Sequence, residues 1–290
     1  MYPAVIEDYL RPTTVTEALA ALAKYGSGEA IFIAGGQSLM QAIKSRMVRP
    51  RCLIDLQSVA ELKGIKRDNG LTVGAYTRYV EIAEDNAIPG AYAALRDAAQ
   101  HVGDRQVRNR GTIGGSCCWN YVASCMPAVV LALDGTLHLQ AAKGKTRQVS
   151  VDDFLIAPLE TARADDEILT AISFKKAPGA GSAYKKWGLV TDALPVVGVC
   201  VNVTVDAAGK CTAARVSLAG LSAGAQRAPA AEAALIGSAG DLAAIDKACA
   251  AMAAAADAQS DQWAESAYRR QLIRTLGREV ATMAFARARG

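Results

Sequence analysis

Ala34-Gly35-Gly36-Gln37-Ser38-Leu39 and, later in the chain, Gly111-Thr112-Ile113-Gly114-Gly115-Ser116 are the two stretches on which the reading of this sequence turns. Each follows a β-like or helical segment and ends in small or hydroxyl side chains. A glycine has no Cβ, so its backbone can approach a bulky anion, and successive N–H groups at a turn or helix start can point at phosphate oxygens. The Ser38, Thr112 and Ser116 hydroxyls add donors, and no lysine is required. Either cluster alone reads as a turn; the pair suggests a diphosphate cradle. Neither stretch is a G-x-G-x-x-G, and the chain holds no G-x4-G-K-[ST], so a Rossmann nicotinamide site and a P-loop are not supported.

Outward from the first cluster, Ala30–Ile33 reads as a strand and Ser38 opens a helix, giving strand, glycine turn, helix. Before it, Thr14-Val15-Thr16-Glu17 has the form of a capping box, starting a helix that Gly26 ends. After it, Cys52–Leu56 and Leu71–Ala75 read as strands, Thr77 as the cap of a helix to about Glu84, and Ala91–His101 as a helix. Asp104–Arg110 reads as a basic loop that leads into the second cluster and steers an anionic ligand. Pro127–Leu133 reads as a helix, and Leu137–Leu139, Arg147–Val151 and Ile168–Phe174 as strands. Lys175–Ser182 has the Pro, Gly and small-residue composition of a linker, which puts a domain boundary near residue 177. Beyond it, Val196–Val205 and Cys211–Leu218 form a hairpin. The alanine-rich Asp241–Ala258 and the stretch Glu265–Arg287, with Leu272, Leu276, Val280 and Met283 on one stripe, read as helices.

The 290 residues leave room for about two domains, and 51% hydrophobic with 21% charged residues is an ordinary globular composition. A net charge of +4, spread along the chain, gives no basic face for nucleic acid. His101 and His138 belong to no zinc-binding spacing and read as structural. Seven cysteines without a C-x-x-C pair fit reduced thiols in a cytoplasm rather than disulfides or a zinc ribbon. The start Met1-Tyr2-Pro3-Ala4-Val5-Ile6 lacks a signal-peptide pattern, and no apolar run reaches the ~20 residues of a membrane span.

With Val107-Arg108-Asn109-Arg110 ahead of the second cluster, the two stretches closely resemble the FAD motifs of the flavoprotein medium subunit of molybdenum hydroxylases. That group contains aerobic carbon monoxide dehydrogenase and the flavin domain of xanthine dehydrogenase. The resemblance runs on through Asp153-Phe154, Thr161-Ala162 and Glu167-Ile168, then Tyr184-Lys185-Lys186, Arg227-Ala228 with Glu232-Ala233-Ala234, and Tyr268-Arg269-Arg270. It implies an α+β fold: a two-part FAD-binding domain of the vanillyl-alcohol-oxidase/PCMH type over 1–177 (parts about 1–56 and 57–177), then a smaller C-terminal α+β domain over 178–290 with a short antiparallel sheet and helices. It implies that FAD is held by Ile33, Ala34, Gly35, Gly36, Gln37, Ser38, Leu39, Gly111, Thr112, Gly114, Gly115, Ser116 and Cys125, with Thr77 and Lys186 toward the flavin and the C-terminal domain over it. Where this chain has Ser116, the family usually has asparagine; where it has Tyr121 and Cys125, often aspartate; where it has Leu189-Val190, often two arginines. An aspartate at 125 would accept from the adenosine ribose, a contact a thiol makes poorly.

One branch of that family, resembling 4-hydroxybenzoyl-CoA reductase, carries an iron–sulfur cluster in this subunit. Cys117, Cys118 and Cys125 fall short of four thiolates, so they read as ordinary thiols and no metal site is assigned. The resemblance therefore implies an FAD-containing electron-transfer subunit with no catalytic acid or base of its own. Its electrons would come from a small [2Fe–2S] subunit and go to an external acceptor, with molybdopterin on a large subunit and the heterotrimer possibly doubled. Alternatives are a free-standing flavin oxidase, and a structural subunit whose FAD binding is weakened at Cys125.

Overall fold

The computed structural model describes residues 4–26 and 28–290. Met1, Tyr2 and Pro3, part of the segment read for a leader, lie outside the described residues. The first layer is a parallel sheet of β1 (Asp8–Leu10), β3 (Cys52–Asp55) and β2 (Ala30–Ile33), in that order. Helix α1 (Val15–Tyr25) packs on it through Val15, Ala18, Leu19 and Leu22. Thr14 caps α1 by accepting from Glu17 N at 3.1 Å, but the return arm lands one residue early, with the Glu17 carboxylate accepting from Thr13 N at 2.7 Å. Gly26, at φ 82°, ends the helix as expected.

The second sheet has the order β4 (Ile65–Lys66), β5 (Gly70–Gly74), β10 (Ile168–Lys175), β6 (Thr136–Gln140), β7 (Thr146–Ser150), with every neighbouring pair antiparallel. A small β8 (Leu155–Ala157) and β9 (Glu160–Thr161) pair follows the short helix α8 (Val151–Phe154). Helices α3 (Tyr79–Glu84), α4 (Ala93–Gln100) and α7 (Cys125–Ala132) join this sheet in one core around Val73, Ile82, Leu95, Met126 and Ile172. The third sheet, β11 (Ala180–Trp187), β12 (Val197–Val205), β13 (Cys211–Ala219), β14 (Gln226–Arg227), is antiparallel throughout. Helices α9 (Pro229–Leu235), α10 (Leu242–Ala255) and α11 (Ser266–Arg289) share its core.

Four local readings change. Asp104–Arg110 is not a loop: Asp104 accepts from Val107 N at 2.7 Å and caps helix α5 (Arg105–Arg110). The second glycine cluster is itself the opening of helix α6 (Ile113–Trp119), capped by Thr112. The far end of the expected linker is β11. Its small residues reflect close packing, since a Cβ on Gly181 would come within 2.3 Å of Ala284 O in α11. Helix α3 also begins one residue later than read, after Arg78, whose N–H donates to the Glu81 carboxylate at 2.8 Å.

The C-terminal sheet is fastened to the second core by charge and hydrogen bonds. Buried Asp97 of α4 accepts from Arg287 Nη1 at 2.6 Å and Nη2 at 3.0 Å, and from Tyr184 N at 3.1 Å. Arg287 also donates to Ser182 O, and the Ser182 hydroxyl accepts from Ala94 N. One carboxylate therefore ties α4, β11 and α11 together. Asp97→Ala leaves a partly buried guanidinium without its counter-ion and the Tyr184 amide without its acceptor, and should cost about 3 kcal/mol, read as a lowered midpoint in urea unfolding.

Candidate functional site

The first glycine turn is the exit of β2. Its shape is set by contact with the second cluster: a Cβ on Gly35 would lie 2.1 Å from Arg110 O and 2.8 Å from Gly111 Cα. The two clusters therefore touch backbone to backbone. Gly36 has φ 74°, a left-handed conformation open to glycine at little cost. Among the described residues, the N–H groups of Gly35, Gly36, Gln37 and Ser38 have no hydrogen-bond acceptor, while the Gly36 and Ser38 carbonyls are already used by Met40 N and by Gln41 N and Ala42 N. Helix α2 (Leu39–Lys44) makes no side-chain cap with Ser38, so that hydroxyl is also uncommitted.

The second cluster differs. Gly111 N donates to Val107 O, Ile113 N to Thr77 O, Gly114 N to Ala75 O, and Ser116 N to Thr112 O. Gly115 N donates to the Thr112 hydroxyl at 3.1 Å. These amides hold α6 and the loop in place; of them, only the Thr112 N–H has no acceptor among the described residues. Gly114 is small because a Cβ there would sit 2.6 Å from the Ala75 carbonyl oxygen. The two clusters of the expected cradle therefore differ: the first presents free amides, while those of the second are mostly bonded within the protein and shape the wall.

Between the clusters lies a cavity of about 670 Å³. Ala34, Gly35, Gly36, Gln37, Ser38 and Leu39 line it on one side, and Gly111, Thr112, Gly114, Gly115 and Ser116 on another; Cys125 and Lys186 also reach it. Two of the expected residues stand elsewhere. Ile33 lines a neighbouring depression of about 480 Å³ with Met40 and Lys44. Thr77 is fully buried, its hydroxyl donating to Gly64 O and its oxygen accepting from Gly64 N, both at 3.1 Å, so it braces the chain behind the wall.

Other lining residues escaped the sequence reading. Leu22, Phe32, Leu62 and Tyr76 make an apolar wall from the first layer, and Arg163 with Asp192, Ala193, Leu194 and Pro195 contributes on the other side. The apolar residues carry only the ordinary signal of a core. The segment after β11 is marked in sequence by Pro195 alone.

Burial sets the charge state of the wall. It raises the Cys118 thiol to about 11 and also raises the Cys125 thiol, against the pull of Lys186 and Tyr184 beside it. Both are therefore neutral near pH 7. Burial likewise lowers Lys186, whose ammonium donates to Ala193 O. Free amides on one side, a flat apolar wall and few charges suit a dinucleotide with a planar ring, and the volume falls in the usual range of about 300–1,000 Å³ for such sites.

Fold and cavity together suit a module that holds a nucleotide cofactor. Residues 4–175 match the FAD-binding domain of molybdopterin dehydrogenases, and residues 163–284 match the carbon monoxide dehydrogenase flavoprotein C-terminal domain. The chain belongs to this family of FAD-binding oxidoreductase subunits. It is 33% identical to subunit alpha of the 6-hydroxypseudooxynicotine dehydrogenase complex of Paenarthrobacter nicotinovorans, over 97% of this chain and 95% of the relative. It is 30% identical to the carbon monoxide dehydrogenase medium chain of Afipia carboxidovorans, over 97% and 98%. Among solved structures, carbon monoxide dehydrogenase from Hydrogenophaga pseudoflava superposes with TM-score 0.90 at 31% identity, covering 99% of both chains.

Two outcomes follow. Gly35→Ala forces the clusters apart, and a flavin titration should show at least a tenfold loss of FAD affinity with the chain still folded by circular dichroism. Of the seven cysteines, Cys118 alone is not fully buried, so labelling with a thiol reagent at pH 8 should modify it first, slowly because its thiol is raised to about 11, and leave the others unreacted until denaturant is added.

Proposed function

We propose that this chain is the FAD-containing electron-transfer subunit of a molybdenum hydroxylase complex. The observation that carries the reading is the row of uncommitted amides from Gly35 to Ser38 opening onto a dinucleotide-sized cavity. In it, those amides and the Ser38 hydroxyl hold the pyrophosphate, Thr112 N–H adds one donor, and Leu39, Ala34 and the apolar wall pack the rings. Thr77 and Ile33 act behind and beside the site by fixing the backbone. FAD, when bound, supplies a centre that exchanges electrons in single steps or in pairs.

In this reading the protein contributes position, exclusion of water and electrostatics. Electrons arrive from a small [2Fe–2S] subunit and leave to an external acceptor, with the molybdopterin cofactor on a large subunit and two heterotrimers in the assembly. The relatives named as a dehydrogenase complex subunit and as medium chains support a multi-subunit setting. Free thiols in all seven cysteines fit a cytoplasmic location. No described helix is long and apolar enough to cross a membrane. The reading divides the chain near residue 177, between β10 and β11.

Purification of the chain with its co-expressed partners should yield one FAD per chain and an iron–sulfur spectrum in the same peak. A chain that stays colourless after incubation with FAD would contradict the reading in favour of a structural subunit. Bleaching of the isolated flavoprotein by an organic substrate alone would instead make it a free-standing oxidase.

A further inference from the structure

The depression of about 480 Å³ beside the cofactor cavity has a chemistry of its own. Lys44, the last residue of α2, and Arg110, the last of α5, both line it, and no carboxylate does. Among the described residues Lys44 makes no hydrogen bond or ion pair through its side chain. The Arg110 guanidinium has one neutral partner, its Nη1 donating to Gln57 Oε1 at 3.4 Å. Asp55 and Arg110 both act on Tyr9, but Asp55 is committed to the Tyr9 hydroxyl, Gln57 N and Arg11. Residues 30–54 contain no Asp or Glu, so α2 carries no counter-ion of its own.

A lysine in the last turn of a helix ordinarily answers free carbonyls there. Main chain already does that work in α2: Ser45 N donates to Gln41 O, Met47 N to Ala42 O and Arg46 N to Ile43 O. The Lys44 ammonium is left without a fixed partner. Two like charges on one hollow repel each other, and an anion bound to both replaces that repulsion with attraction.

The other lining residues say what the anion is attached to. A Cβ on Gly36 would lie 3.3 Å from Met40 Cγ and 3.4 Å from Ile33 Cδ1, so both half-buried side chains rest against the turn as an apolar floor. The Gln41 amide, uncommitted among the described residues, offers donors and an acceptor at its edge. Gly35, Gly36 and Gln37 line both hollows and form a shared wall, whereas Ile33, Met40, Gln41, Lys44 and Arg110 line the depression and not the cavity.

We propose that this depression is a second ligand site, for a phosphomonoester that carries a flat apolar group, the chemistry of a nucleoside monophosphate. The phosphate binds Lys44 as a point charge and Arg110 through its planar fork. The ring lies on Ile33 and Met40, with Gln41 at its polar edge. The hollow falls in the range of about 300–1,000 Å³ usual for small-molecule sites. Its residues lie outside the cofactor cavity, so the proposal goes beyond the FAD reading.

Calorimetric titration of the FAD-loaded protein with adenosine monophosphate tests it. One molecule per chain should bind, more weakly as salt rises. Lys44→Gln should lower the affinity at least tenfold and Lys44→Arg should keep most of it, both with the parent's FAD content. Adenosine, without the phosphate, should bind at least tenfold more weakly, and inorganic phosphate, without the ring, several-fold more weakly. Arg49→Gln removes an exposed cation outside the depression and should leave the affinity unmoved. Equal losses in Lys44→Gln and Arg49→Gln would show diffuse attraction to a basic surface and overturn the proposal, as would heat that never saturates. Loss of FAD from Lys44→Gln would assign the lysine to the cofactor and overturn it too. A parent chain that takes up no FAD would overturn the functional reading instead, and Lys44→Gln would still decide this one.

Discussion

The contact on which the site depends is between two stretches of main chain. Gly35 lies against the carbonyl of Arg110 and the Cα of Gly111, so close that no side chain fits between. This pins the exit of the parallel sheet to the start of α6, and the Gly35–Ser38 amides, in residues that line the cavity, have no acceptor among the described residues. An unpaired amide row is costly when buried and is retained where a ligand or water completes it. The exposure of Gln37 and Ser38 reduces that cost in the free chain.

The two clusters look alike in sequence yet divide the work. In the first, glycines permit a left-handed turn and a close backbone approach. In the second, they let α6 start against Ala75 and Tyr79, with Thr112 closing the helix end. The amides of the second cluster are consumed by this packing. The braces extend outward: Thr77 holds Gly64, and Asp97 holds β11 and α11, so the wall bearing Lys186 is positioned by the C-terminal sheet.

Much of this was legible in the residues. The strand–turn–helix at Ala30–Ile43, the hairpin across 196–218 and the two terminal helices follow from apolar periodicity and caps, and most of the expected site residues line one cavity. What escaped has physical reasons. Helices α5 and α6 are short and rich in glycine or arginine, so tertiary contacts rather than propensity hold them. The glycines and alanines of β11 mimic a linker because a helix backbone presses on them. Thr77 resembled a helix cap, but its side chain turns inward to the main chain at Gly64. No periodic pattern could have shown that Cys125, Tyr184 and Lys186 converge, since α7 and β11 meet only through the docking of the C-terminal sheet.

Hydrogen–deuterium exchange of the protein with and without FAD tests the division of labour between the clusters most directly. Amides in 34–39 should gain strong protection on binding, whereas those in 113–116, already bonded within the protein, should change little. Protection confined to 113–116, with 34–39 exchanging as fast as in the free chain, would contradict the account.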